Sequence, residues 1–104
     1  MIRLMSPDDD DTSRERGMVE MFHNSRWSPV CSRGWGYNET QVTCRQLGFQ
    51  EGSFTEVKDD TLVDTHWLTD VTCKGTEDRL DACVLGGFEY NGCPDFKHIS
   101  VVCT

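Results

Sequence analysis

Apolar and polar residues alternate in short runs along this chain, the period-two pattern of half-buried strands. Residues 2–5 read as a first strand. Residues 17–23 (Gly-Met-Val-Glu-Met-Phe-His) set Val19 and Met21 on one face and Met18, Glu20 and Phe22 on the other. Asn24-Ser25 is a turn signal, and 26–31 return as a second strand, so the two form a hairpin. Between the first two strands, Pro7 and the adjacent acids Asp8 to Asp11 break the pattern into a solvated turn. Those acids lack the alternating spacing that wraps ligands around calcium.

The period then changes. Asn38 is the expected N-cap of a helix, with Gln41 three residues on, as in a capping box. Val42, Cys44 and Leu47 give that helix an inward face, and Gly48 ends it. Residues 52–64 carry many charges and little pattern, and read as a long loop with one short strand around 54–57. Residues 67–73 return to strand character, and Thr76 caps a second short helix through 80–83, with Glu77 and Asp78 in its first turn. Gly86-Gly87 and Asn91-Gly92 are turn signals, and 99–103 close the chain as a buried strand.

Six cysteines (Cys31, Cys44, Cys73, Cys83, Cys93 and Cys103) in 104 residues change the picture most. An even count at this density in a short chain reads as a disulfide framework, and hence as an oxidising, extracellular setting. Structural zinc would want Cys-x-x-Cys pairs, and the nearest cysteines here are ten residues apart. With only 37% hydrophobic residues and a mean hydropathy of −0.53, the core is modest and cross-links carry part of the stability. The net charge of −8 and pI near 4.6 argue against nucleic acid as a partner. No apolar run is long enough to span a membrane. A secretion signal is expected ahead of this segment, which reads as one domain, residues 1–104, of a longer protein.

Several co-linear blocks resemble the scavenger receptor cysteine-rich domain over residues 2–103. They are Gly17-Met18-Val19-Glu20-Met21, Trp27 before Val30-Cys31, Gly34-Trp35, and the run from Gln41 to Phe49. Trp67-Leu68 with Asp70-Val71 before Cys73, Gly75-Thr76-Glu77 with Leu80 and Cys83, and Val101-Val102-Cys103 complete the set. The family has six- and eight-cysteine groups. The extra pair would fall near Arg14 or Glu15 and at Phe49, so this chain is similar to the six-cysteine type. Spacing alone leaves all pairings open. The resemblance implies Cys31–Cys93, Cys44–Cys103 and Cys73–Cys83. It also implies an α+β fold, a small disulfide-stapled domain whose curved antiparallel sheet cradles one main helix plus a second short helix.

Many members of that family bind ligands through calcium or magnesium held by clustered acids. Two directly follow the cysteine equivalent to Cys31, and another lies four residues past the equivalent of Cys93. Here Ser32, Arg33 and Lys97 stand at those places, with His98 where a further acid is usual. A hydroxyl and two cations cannot supply the carboxylate oxygens a hard cation needs, so the usual metal site is expected to be missing. Asp59, Asp60 and Asp70, with Asp64, are the candidate oxygens for a second calcium or magnesium site; the alternative is a solvated acidic loop.

Arg33, Lys97 and His98, extended by Arg26, form a candidate basic patch for a sulfate, carboxylate or phosphate, against the plainer reading of surface ion pairs. Phe88 and Tyr90 are candidate interface anchors in a loop between glycines. Trp27, Trp35 and Trp67 read as packing residues. Asn38-Glu39-Thr40 is a glycosylation sequon.

No nucleophile elbow, zinc-protease run or phosphate loop occurs, and no nucleophile sits beside an activating base, so the domain is not read as an enzyme. Three functions follow as expectations. The first is an extracellular recognition domain of a receptor or secreted multidomain protein, binding another protein without an obligatory metal. The second is a scavenger-type binder of polyanions or microbial surfaces in innate immunity. The third is an accessory domain of a protease or oxidase with no ligand of its own.

Overall fold

The alternation at 17–23 becomes strand β3 (Arg16–His23), with Val19 and Met21 turned into the core. A computed structural model of the chain describes residues 1–5, 12–13 (backbone only) and 15–104; the expected acidic turn at 6–11 lies outside them. One edge of β3 pairs antiparallel with β1 (Ile2–Met5), which sets Leu4 opposite Val19. The other edge is shared. Residues 16–18 pair with β8 (Lys97–Cys103), and 20–23 pair with β4 (Arg26–Pro29). Between β3 and β4, Asn24 and Ser25 both hold positive φ (51° and 64°), the mirror-image turn whose twist suits a hairpin. Gly17 permits the close approach of β1 to β3: its φ is +136°, and any Cβ there would run into the Met5 carbonyl.

β2 (Thr12–Ser13) lies outside β1, and β5 (Gly52–Lys58) lies outside β8, giving the order β2-β1-β3-β8-β5 with β4 on β3. A second, two-stranded sheet joins β6 (His66–Thr69) to β7 (Gly87–Tyr90). It meets the first through a parallel bridge from Val30 to Leu68. Helix α1 (Tyr37–Gln46) is buried from Glu39 through Cys44 and packs against β5 and a 3-10 turn at Leu80–Ala82.

The main core gathers Leu4, Val19, Val42, Leu68, Leu80 and Ile99 between helix and sheets. A smaller cluster packs Trp67 on the sulfurs of Cys31 and Cys93, with Leu62 and Phe96 at its margin. Three bridges tie the layers: Cys31–Cys93 fixes the end of β4 to the chain before β8, Cys44–Cys103 fixes helix to last strand, and Cys73–Cys83 closes a short loop. The first two join residues 62 and 59 apart, so on the chain-entropy account each removes about 4 kcal/mol of unfolded-state freedom.

Several local expectations need correction. The helix N-cap is Gly36, not Asn38, because the Glu39 carboxylate folds back to accept from the Gly36 amide at 2.7 Å. Gln41 instead accepts from the Gly52 amide at 3.2 Å, holding the start of β5. The charged stretch after Gly52 is a full strand through Lys58; exposed on both faces, it has no alternation to read. The strand at 67–73 stops at Thr69, where Asp70 takes a φ of 52°. The N-cap of the 3-10 turn is Arg79, not Thr76, and Glu77 accepts from the Lys74 and Gly75 amides ahead of it. Gly87 opens β7 and does not end a turn.

Candidate functional site

Two surface corners hold the candidate residues. At the first, the Cys31–His98 bridge and the Ser32 amide, which donates to the Lys97 carbonyl at 2.9 Å, bring 31–33 beside 97–98. The positions at which the resemblance implied acids therefore converge here, but the donors do not fit a divalent cation. Arg33 points its guanidinium at Asp70, with Nε to Oδ1 at 3.1 Å and Nη2 to Oδ2 at 3.3 Å, a two-pronged pair. His98 is no part of a cationic surface. Its ring is 6% exposed and its Nδ1 has no hydrogen-bond partner among the described residues. Burial pushes the imidazole below its ordinary value, against smaller opposing pulls from the Ile99 backbone, Asp59 and Glu20. The expected basic patch thus reduces to Lys97 beside an Arg33 paired with Asp70, and Arg26 meets His66.

The acids proposed for a second cation site do not gather. Asp59 accepts from the Thr61 hydroxyl and amide, which holds its carboxyl below the usual range. Asp60 lies 3.9 Å from Lys58, Asp64 accepts from Tyr90, and Asp70 is taken by Arg33. Among the described residues, Cys73, Glu77 and Cys83 form a group of close donor atoms, but the two sulfurs are bonded to each other and offer no thiolate.

The second corner forms where the β3–β4 turn meets the β6–β7 pair. Hairpin register puts His23 opposite Arg26, and sheet register puts His66 opposite Tyr90 and Leu68 opposite Phe88. His23 stacks flat on Phe88, ring centroids 4.0 Å apart and 4° from parallel. Arg26 lays its guanidinium against the His66 ring, and His66 tilts against Tyr90 at 5.3 Å. The Tyr90 hydroxyl donates to Asp64 at 2.7 Å. Tyr90 is 57% exposed and Phe88 half-buried, and both sit on a strand, not a loop. Among the described residues, no carboxylate pairs with Arg26.

The structure therefore brings Arg26, Phe88 and Tyr90 together and adds His23 and His66, which sequence reasoning passed over. The Asn24-Ser25 turn already implied the pairing of His23 with Arg26. The pairing of His66 with Tyr90 depended on β7, which the glycines concealed. On the reverse face, Trp27 is half-buried under Arg3, whose guanidinium lies 4.2 Å from the ring and whose Nε meets Glu20 at 2.7 Å. Trp35 and Trp67 are buried. Asn38 is exposed at the helix start, its amide donating to the Cys73 carbonyl at 3.4 Å, while Thr40 of the sequon is buried.

The profile of the scavenger receptor cysteine-rich domain matches residues 9–104. Lysyl oxidase homolog 4 of Bos taurus is 35% identical over 105 residues, covering 98% of this chain and 13% of that protein. Macrophage receptor MARCO of Mesocricetus auratus is 35% identical over 89 residues, covering 85% of this chain and 18% of the receptor. The chain thus spans less than a fifth of either relative. The third SRCR domain of murine neurotrypsin superposes with a TM-score of 0.69 at 28% identity, covering 99% of this chain and 94% of that one. Domains of this kind are non-catalytic extracellular modules of receptors and secreted proteins. Among the described residues, no helix is long and apolar enough to cross a membrane. With profile, neighbours, six cysteines and three bridges in agreement, the chain belongs to the scavenger receptor cysteine-rich family, in its six-cysteine group.

Proposed function

We propose that this domain recognises a protein ligand outside the cell through the surface around Arg26, His66, Phe88 and Tyr90, and that it needs no metal ion to do so. The observation that carries the reading is the Arg26 guanidinium: its Nη1 meets the His66 ring nitrogens, it is uncompensated by any described carboxylate, and it is framed by aromatic groups. Arginine and tyrosine dominate the energetics of protein interfaces, because both bring large rigid contact area with a polar end. A ligand carboxylate flanked by apolar groups matches this surface. Independence from metal is supported by the donor set at the first corner, where Arg33, at a position the resemblance implied to be acidic, engages Asp70.

The test applies the domain, assembled as a tetramer for avidity, to cultured cells and extracellular matrix in calcium and in chelator. Binding should survive chelation, fall after protease treatment of the target surface, and be lost in Arg26→Ala and Tyr90→Ala. Loss in chelator would overturn the reading. Loss in an Arg33→Glu/Lys97→Glu variant, with steep salt dependence and Arg26→Ala unaffected, would establish the polyanion reading instead.

A further inference from the structure

Strand β5 ends the main sheet, and all seven of its residues pair with β8 on one side. Nothing among the described residues pairs with its other side. Six of its seven residues are exposed, Phe54 and Val57 among them; the strand contains no proline, and its register turns Phe54 and Glu56 to the face of buried Val101 and Ile99. Native sheets ordinarily cover, bulge or break so long an edge, since its unpaired amides and carbonyls form a template for another strand. Beside its first residues lies an open cleft of about 230 Å³ lined by Glu51, Gly52, Ser53, Val102 and Thr104.

Charge selects the occupant. Glu51, Glu56, Asp59 and Asp60 line the strand and the turn after it, against a single Lys58 that already lies 3.9 Å from Asp60. Asp59 is held ionised by its two bonds from Thr61. A second copy of this chain would set these acids against their duplicates on a molecule of net charge −8. A basic strand would meet them with opposite sign.

We propose that the free edge of β5 takes up an extended basic segment of a partner protein as an added strand, with a lysine or arginine side chain lodged in the cleft beside Glu51. This goes beyond the Arg26 surface and concerns a separate face. Main-chain hydrogen bonds supply the affinity of such an addition, and alternate side chains supply its specificity.

The probe is an end-blocked hexapeptide of alternating lysine and valine, titrated into the isotope-labelled, disulfide-intact domain and followed by amide NMR shifts. Shifts should concentrate at 51–58 and Val102, and affinity should weaken roughly tenfold between low and physiological salt. A Glu51→Gln/Glu56→Gln variant should bind several-fold more weakly, whereas Arg26→Ala should bind unchanged. A peptide N-methylated on the amides turned toward β5 should not bind, and a glutamate–valine peptide should not bind either. Unmoved β5 amides, or equal affinity for the N-methylated peptide, would overturn the proposal. So would a peptide-free dimer through β5 in sedimentation, which would assign the edge to a second copy.

Discussion

Arg33 and Arg26 leave the same stretch of chain and meet opposite surroundings. Arg33 finds Asp70 and is neutralised by it, both side chains 54% exposed. Arg26 finds an imidazole, and beyond it a tyrosine whose hydroxyl is already engaged with Asp64. An exposed ion pair is self-contained and adds little to stability. A guanidinium held by an imidazole is positioned without a carboxylate to offset its charge. The charge count of the sequence cannot separate the two; the partner each one meets does.

The broadest way to break this contrast is to remove the frame holding both corners. Cys31→Ala/Cys93→Ala should lower stability by about 4 kcal/mol in urea unfolding, and both surfaces should lose order together. Next in size, Arg26→Ala should cost about 2 kcal/mol of ligand affinity by titration, with stability changed by no more than about 0.5 kcal/mol.

Acid should act on the first corner through His98. Its folded pKa is depressed, so its contribution is fully present above the unfolded value near 6.5. That contribution is lost as pH falls through the lower folded value, with a slope of at most about 1.4 kcal/mol per pH unit. His98→Gln should flatten the slope in that window. Asp59 and Glu77, also depressed, act only below their unfolded values of 3.8 and 4.5, so further loss there should persist in the variant. The smallest effect belongs to Arg33→Ala, which should change stability by less than about 1 kcal/mol and leave ligand affinity unaltered. A larger affinity loss in Arg33→Ala than in Arg26→Ala would reverse the assignment of roles.

What could be read ahead of the structure followed from periodicity. Val19 and Met21 against Glu20 and Phe22 marked β3, and Asn24-Ser25 marked its turn, because a half-buried strand and a mirror-image turn leave composition signatures. The family blocks carried the sheet-and-helix architecture. Only the middle of β5, around 54–57, was legible, because an edge exposed on both faces imposes no alternation on its sequence. The helix start slipped because asparagine is a better isolated cap than glycine, and only the burial of Glu39 tips the choice toward Gly36. At the binding corners, one-dimensional charge suggested an Arg33–Lys97–His98 patch. The turn at Asp70 and the burial of His98 dismantled it, and neither is visible without three-dimensional neighbours.

Glu39 has a further consequence for how the molecule opens. One oxygen of its carboxylate receives the Gly36 amide, and the other receives the Cys73 amide at 2.8 Å. A single side chain thus latches the first turn of the helix to the segment entering the Cys73–Cys83 loop. Neither can fray without stranding a buried negative charge, so solvent reaches both amides in one cooperative event, and the helix end exchanges its hydrogens at the pace of a loop remote from it in sequence.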